Sequence, residues 1–174
     1  VKLKGKNVIK RLFSLLIHPF YRAPDFVLIK PQGIYLRRWH VIPRNRWCNL
    51  YLHQFLMSDD DRALHDHPWA SCSIILKGGY YEHLPNGVVL RRKAGQMIWR
   101  RAEQAHRVEL LPHYEWSEAA GFRQGVHPAW TLFFTGRRVR QWGFYCKQGW
   151  RHWRDFVGVP VGEARGDEVG RGCE

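Results

Sequence analysis

Leu64-His65-Asp66-His67-Pro68-Trp69 is the stretch on which the reading of this chain turns. Two histidines at i and i+2 on an extended segment point to one face, because side chains alternate along a strand. Two such imidazoles, joined by a third from another strand, supply half of an octahedral metal shell. His106, downstream, is the candidate third. Asp66, between the pair, points the other way by parity and is expected to anchor the loop.

Around this stretch the pattern is one of short strands and turns. Strands are expected at 33–42, 47–57, 69–76, 80–84, 88–92, 96–101, 106–111, 130–135 and 141–147. Asp59-Asp60-Asp61, Gly78-Gly79 and Pro85-Asn86-Gly87 mark turns, the last as a hairpin signal. Residues 112–128 are polar and read as a long loop. Turn signals every eight to twelve residues or so indicate an antiparallel sandwich or barrel. The fold class is therefore all-β. Three regions are expected: a basic arm with a short amphipathic helix at 1–30, a β-barrel at 31–157, and a Gly- and charge-rich tail at 158–174. In the arm, Val8, Ile9, Leu12, Phe13, Leu16 and Ile17 fall at helical spacing, and Pro19 ends the run.

The spacing of these residues resembles the cupin superfamily. Its first motif reads G-x5-H-x-H-x3,4-E-x6-G. Here His65 and His67 fill the histidine positions, and Gly78 or Gly79 the closing glycine. Asp59 replaces the opening glycine, and the glutamate position falls on Ser71 or Cys72. The second motif reads G-x5-P-x-G-x2-H-x3-N. Gly95 and His106 match it, while Arg101, Glu103 and Leu110 stand where Pro, Gly and Asn would be. The resemblance covers about residues 59–110. It implies a double-stranded β-helix (jelly-roll) barrel, with His65, His67 and His106 as metal ligands. The family's usual glutamate ligand is missing, and a serine hydroxyl is a poor substitute. The set looks like the three-histidine non-haem iron centre of the thiol dioxygenases among cupins. One divalent ion is expected, Fe(II) being favoured and Zn, Mn, Ni or Cu compatible with the ligands.

Other side chains take their expected places from this frame. Tyr51, His53, Arg62, Ser71, Trp99 and Arg101 are candidates to line a substrate pocket. Glu103 and Gln104, just before His106, are candidates to hold a ligand imidazole by a hydrogen bond. The leading expectation is a non-haem Fe(II)-type oxygenase or dioxygenase acting on a small polar or anionic substrate. The alternative is a non-redox cupin that binds a sugar or nucleotide as sensor or isomerase. No G-x-S-x-G, P-loop or G-x-G-x-x-G is present, so serine hydrolase and nucleotide-fold readings lack support.

Composition sets the remaining bounds. The 174 residues fit one domain, and a hydrophobic share of 45% is enough for a packed core. Net charge is +13, and residues 1–46 carry most of the excess, with Asp25 their lone acid. That arm makes nucleic acid or an anionic membrane a conceivable partner, though not the favoured one. A homodimer is compatible with the exposed aromatics and the N-terminal helix. Cys48, Cys72, Cys146 and Cys173 show no C-x-x-C pairing and read as reduced thiols of a cytoplasmic protein.

Overall fold

The structure is a computed structural model, and it describes residues 22–30, 32–59, 63–117, 121–158 and 172–174. The N-terminal helix expected at 8–17, Arg62 and most of the expected tail lie outside the described residues.

Two layers of antiparallel strands make the barrel. The first is a six-stranded sheet of β1 (Phe26–Lys30), β2 (Gly33–His40), β3 (Asn49–Phe55), β12 (Ala129–Thr135), β5 (Ser71–Lys77) and β8 (Met97–Arg100), in that order. Each strand alternates. Leu36, Tyr51, His53, Thr131, Ser71, Ser73, Ile75, Ile98 and Arg100 fall on one face by register and are buried. Trp99 and Met97 fall on the opposite face of β8 and are exposed.

The second layer has two halves. One is β7 (Val89–Lys93), β6 (Gly79–His83) and β9 (Arg107–Leu110); the other is β14 (Gly149–His152), β13 (Gly143–Cys146) and β4 (Leu64–His65). One residue pair joins the halves. The His65 N–H donates to the His106 carbonyl at 2.9 Å, and the His106 N–H donates back to the His65 carbonyl at 2.9 Å. The second layer therefore continues from β9 into β4 through two of the candidate ligands.

Ile75, Tyr80, Ile98, Val108, Leu110 and Ala129 form the core between the layers, with Phe55 against them. Gly78 makes the tight passage from β5 to β6. Its φ is +75°, and a Cβ there would stand 2.5 Å from the Pro128 carbonyl oxygen, so only glycine fits. A second cluster of Ala63, Phe144 and Phe156 seats the short helix α1 (Trp153–Val157) under β13.

Three expectations are corrected. Residues 112–128 are not a loop: β10 (Pro112–Ser117) and β11 (Gly121–Val126) pair as a two-stranded antiparallel hairpin. Their polar composition hid the pairing. Phe26–Lys30, assigned to the arm, is an edge strand on β2. Cys146 and Cys173 form a disulfide, while Cys48 and Cys72 are free. The argument from reduced thiols to a cytoplasmic location therefore loses this pair. No helix among the described residues is long and apolar enough to cross a membrane.

Asp66 ties the loop between β4 and β5 to the far end of the chain. It is fully buried, and its carboxylate accepts from the Gly143 N–H at 2.8 Å, the Trp150 Nε1–H at 3.1 Å and the Tyr145 hydroxyl at 3.3 Å. Arg140 completes the group as its ion-pair partner. Asp66→Ala removes these acceptors and leaves the buried Gly143 N–H unmet, which costs about 1–3 kcal/mol. Urea unfolding followed by tryptophan fluorescence measures this; an unchanged midpoint would contradict it.

Candidate metal centre

The structure brings His65, His67 and His106 together. One nitrogen from each lies within 4.8 Å of the others, and the Nε2 atoms of His67 and His106 are 2.9 Å apart. The ring centroids stand 5.0–5.1 Å from one another. Two nitrogens at right angles on an ion, each about 2.1 Å from it, are about 3 Å apart, so the spacing fits a shared metal. Among the described residues the group contains no carboxylate or thiolate. The donor set is three neutral nitrogens.

Local structure explains the convergence. His65 ends β4, and His106 is held beside it by the reciprocal backbone pair. His67 is placed by its own N–H, which donates to the Ala102 carbonyl at 3.0 Å. A hairpin of Arg101 to Ala105 thus delivers His106 and positions His67 at once.

Burial keeps the three imidazoles neutral. His65 is pushed down to about 4, chiefly by burial; His106 and Arg100 add to the effect, and Asp59 and Asp66 oppose it. His67 lies well below its ordinary value through burial and the neighbouring His65 and His106. His106 is lowered by burial, against the pull of Glu82. Neutral imidazoles are the form that binds metal.

Two acids lie beside the imidazoles. Glu82, on β6, is buried at 1% exposure, and its Oε1 lies 3.2 Å from His106 Nδ1. With His106 neutral this is a close polar contact that falls short of a well-formed hydrogen bond. Arg92 Nε donates to Glu82 at 2.6 Å and Arg100 Nε at 2.7 Å. Burial alone would raise the Glu82 carboxyl; the contacts with His106 and Arg100 outweigh it and hold it at about 2. An ionised carboxylate only accepts, so His106 keeps its proton on Nδ1 and presents the Nε2 lone pair to the cluster. Asp59 lies near His65 without a hydrogen bond to it. Its Oδ2 is 3.9 Å from His65 Nδ1 and accepts from the Val108 N–H at 2.6 Å. Tyr35 donates to its other oxygen.

Sequence reasoning missed Glu82 as an orienting group. The signal was present: Glu82 shares the parity of Tyr80 on β6, and both are buried. Asp59 had been singled out only as a departure from the cupin glycine. The residues proposed for this task, Glu103 and Gln104, do not perform it. Glu103 pairs with Arg101 at 3.1 Å on the surface, and the Gln104 side chain accepts from the Arg101 N–H at 2.7 Å within the hairpin.

The pocket candidates divide. Tyr51, His53 and Ser71 are buried on the inner face of the six-stranded sheet. Ser71 sits opposite Arg100 and Thr135, and its hydroxyl has no hydrogen-bond partner. Trp99 does not line the interior, because β8 turns it outward, where it is 64% exposed. Arg101 is a surface residue with 74% of its side chain exposed. A cavity of about 510 Å³ is lined by Trp69, Arg138, Trp142, Trp153 and Arg154 among others. The Trp142 ring is 6.3 Å from His65.

No protein-family model matches the sequence, and no curated protein matches it. Solved structures with a similar fold include a conserved protein with a double-stranded β-helix domain from Klebsiella pneumoniae subsp. pneumoniae MGH 78578. It is 16% identical, with a TM-score of 0.45, over 67% of this chain and 89% of that one. A cupin superfamily protein from Desulfitobacterium hafniense DCB-2 matches at 10% identity and a TM-score of 0.41, over 67% and 82% of the two chains. An RmlC-like cupin protein from Desulfovibrio desulfuricans matches at 11% and 0.41, over 64% and 90%.

Glu82→Gln keeps the shape and removes the charge that holds the His106 proton. It is expected to weaken divalent-metal binding about 10- to 100-fold, read by competition with a chelating dye. Affinity equal to that of the parent protein would contradict the role assigned to Glu82.

The depressed imidazoles also set a pH dependence for the metal-free protein. The unfolded chain takes up protons as pH falls through about 6.5. The folded chain resists until about 4 at His65. Stability is therefore complete above the unfolded value and is lost as pH falls toward the folded one. The urea midpoint is expected to be lower at about pH 5 than at about pH 7.5; the opposite order would contradict this account.

Proposed function

We propose that this chain is a metal-dependent cupin enzyme that carries out non-haem Fe(II)-type oxygen chemistry on a small polar substrate. The observation that carries the reading is the convergence of three neutral imidazoles, His106 buried and His65 and His67 half-buried, with no anionic ligand among them. A three-nitrogen set leaves the full charge of the ion uncompensated and leaves room in the shell for water and substrate. Iron(II) bound there supplies the redox and Lewis-acid chemistry that dioxygen activation requires.

The protein's own part is positioning and exclusion. His65, His67 and His106 are fixed by backbone hydrogen bonds before any ion arrives, so little order is gained on binding. Glu82, braced by Arg92 and Arg100, holds the His106 proton on Nδ1 and prevents the ring from flipping. Ile75, Val108 and Leu110 belong to the apolar core between the layers, which excludes water from the interior.

Oxygen uptake by the iron-loaded protein tests the proposal, with thiol, diketone and catechol substrates supplied in turn. Uptake with at least one class is expected, and His65→Ala is expected to abolish it. Full iron occupancy with no uptake across the panel would contradict it.

A further inference from the structure

The loop between β4 and β5, the loop between β12 and β13 and the start of α1 frame the cavity of about 510 Å³, and none of the three clustered histidines lines it. That volume is usual for a small-molecule site, which runs from about 300 to 1,000 Å³. Backbone hydrogen bonds hold its three segments together. The Val139 N–H donates to the Pro68 carbonyl at 2.8 Å, and the Gly136 N–H to the Ala70 carbonyl at 2.9 Å. The Trp153 N–H donates to the Trp142 carbonyl at 3.2 Å. The walls are thus set by the chain itself, which lowers the ordering cost of binding.

Two chemistries meet in this lining. Trp69, Trp142 and Trp153 supply three half-buried indoles. Trp142 and Trp153 are parallel within 7°, with centroids 5.6 Å apart. Indole surface is where a further flat ring packs, offset or edge to face. The charged lining has one sign: Arg138 and Arg154 contribute to it, and no aspartate or glutamate does. Among the described residues neither arginine forms an ion pair with a carboxylate. Arg138 donates to the Gln141 amide oxygen at 2.6 Å, and the Arg154 guanidinium lies 5.3 Å from the Trp153 ring centroid. Arg140, on the same loop as Arg138, is instead neutralised by Asp66. Two unneutralised guanidinium groups beside apolar ring surface suit a carboxylate or phosphate carried on a ring.

We infer that this cavity binds a small aromatic anion, its carboxylate or phosphate taken up by Arg138 and Arg154 and its ring packed on the indoles. Trp142 belongs both to the cavity wall and to the surroundings of His65, whose ring is 6.3 Å away. An occupant of the cavity and the histidine cluster therefore share one wall residue. The site goes beyond the proposed function, since it uses none of the three histidines. Its test needs no metal, so the two readings fail separately.

The test uses full-length, metal-stripped protein at neutral pH and constant ionic strength. It is titrated into para-fluorobenzoate, para-fluorophenyl phosphate and neutral para-fluorobenzamide, and fluorine NMR reads the bound fraction. Saturable binding of at least one anion is expected, with the amide bound at least about tenfold more weakly. The tighter anion identifies the head group. Acetate, which lacks a ring, is expected to displace the bound anion only at large excess. Arg138→Gln and Arg154→Gln are each expected to weaken binding at least about tenfold, the loss typical of one charge-assisted hydrogen bond. The Arg138 side chain is exposed, so its variant keeps the fold and preserves the test if Arg154→Gln does not. Arg101→Gln, on the surface outside the cavity, is expected to bind like the parent protein. Equal binding of benzoate and benzamide, or no saturable binding of either anion, would overturn the site. An equal loss in Arg101→Gln and Arg138→Gln would also overturn it, leaving only the general attraction of a chain of charge +13 for anions. Displacement by acetate as effective as by benzoate would overturn the role of the indoles.

Discussion

Two backbone hydrogen bonds between His65 and His106 hold the functional half of this barrel together. They are the ladder that joins the two three-stranded parts of the second layer. They also fix the Cα positions of two of the three imidazoles. Sheet continuity and site geometry are thus a single constraint. A change that parts β4 from β9 dismantles the layer and the histidine cluster together. Asp66, between His65 and His67, acts on the same constraint from the opposite side, by binding the loop to the β13–β14 hairpin.

A second constraint crosses the barrel. Glu82 comes from the smaller layer, and Arg100 from the six-stranded sheet. Their buried ion pair gains little net stability, since desolvation offsets most of the attraction. Its effect is orientation. The carboxylate cannot leave without stranding Arg100 in the core, so it remains where His106 needs an acceptor. The tautomer of a ligand is in this way set by a cross-sheet contact remote in sequence.

Much of this was legible in the chain. The alternation of apolar residues gave the strands of the core, and Gly78 marks a turn that no other residue can make. The His65–His67 parity was legible because it is local to one extended segment. What escaped reading depends on register between distant strands. Glu82 meets His106 only when β6 pairs with β9. Trp99 was misplaced by one residue of parity, which in a strand reverses the side chain. The β10–β11 hairpin carries polar residues and so lacked the apolar alternation that reveals a half-buried strand. The Cys146–Cys173 disulfide requires the chain to return past α1, which spacing alone does not specify.

The central claim is that three neutral histidines hold a metal ion. The most direct measurement is the metal content of the protein purified without added metal or chelator, by mass spectrometry, set against protein concentration. The account predicts close to one transition-metal ion per chain, with near-complete loss in His106→Ala. Content near zero in the parent protein, with no uptake on adding iron(II), would contradict it.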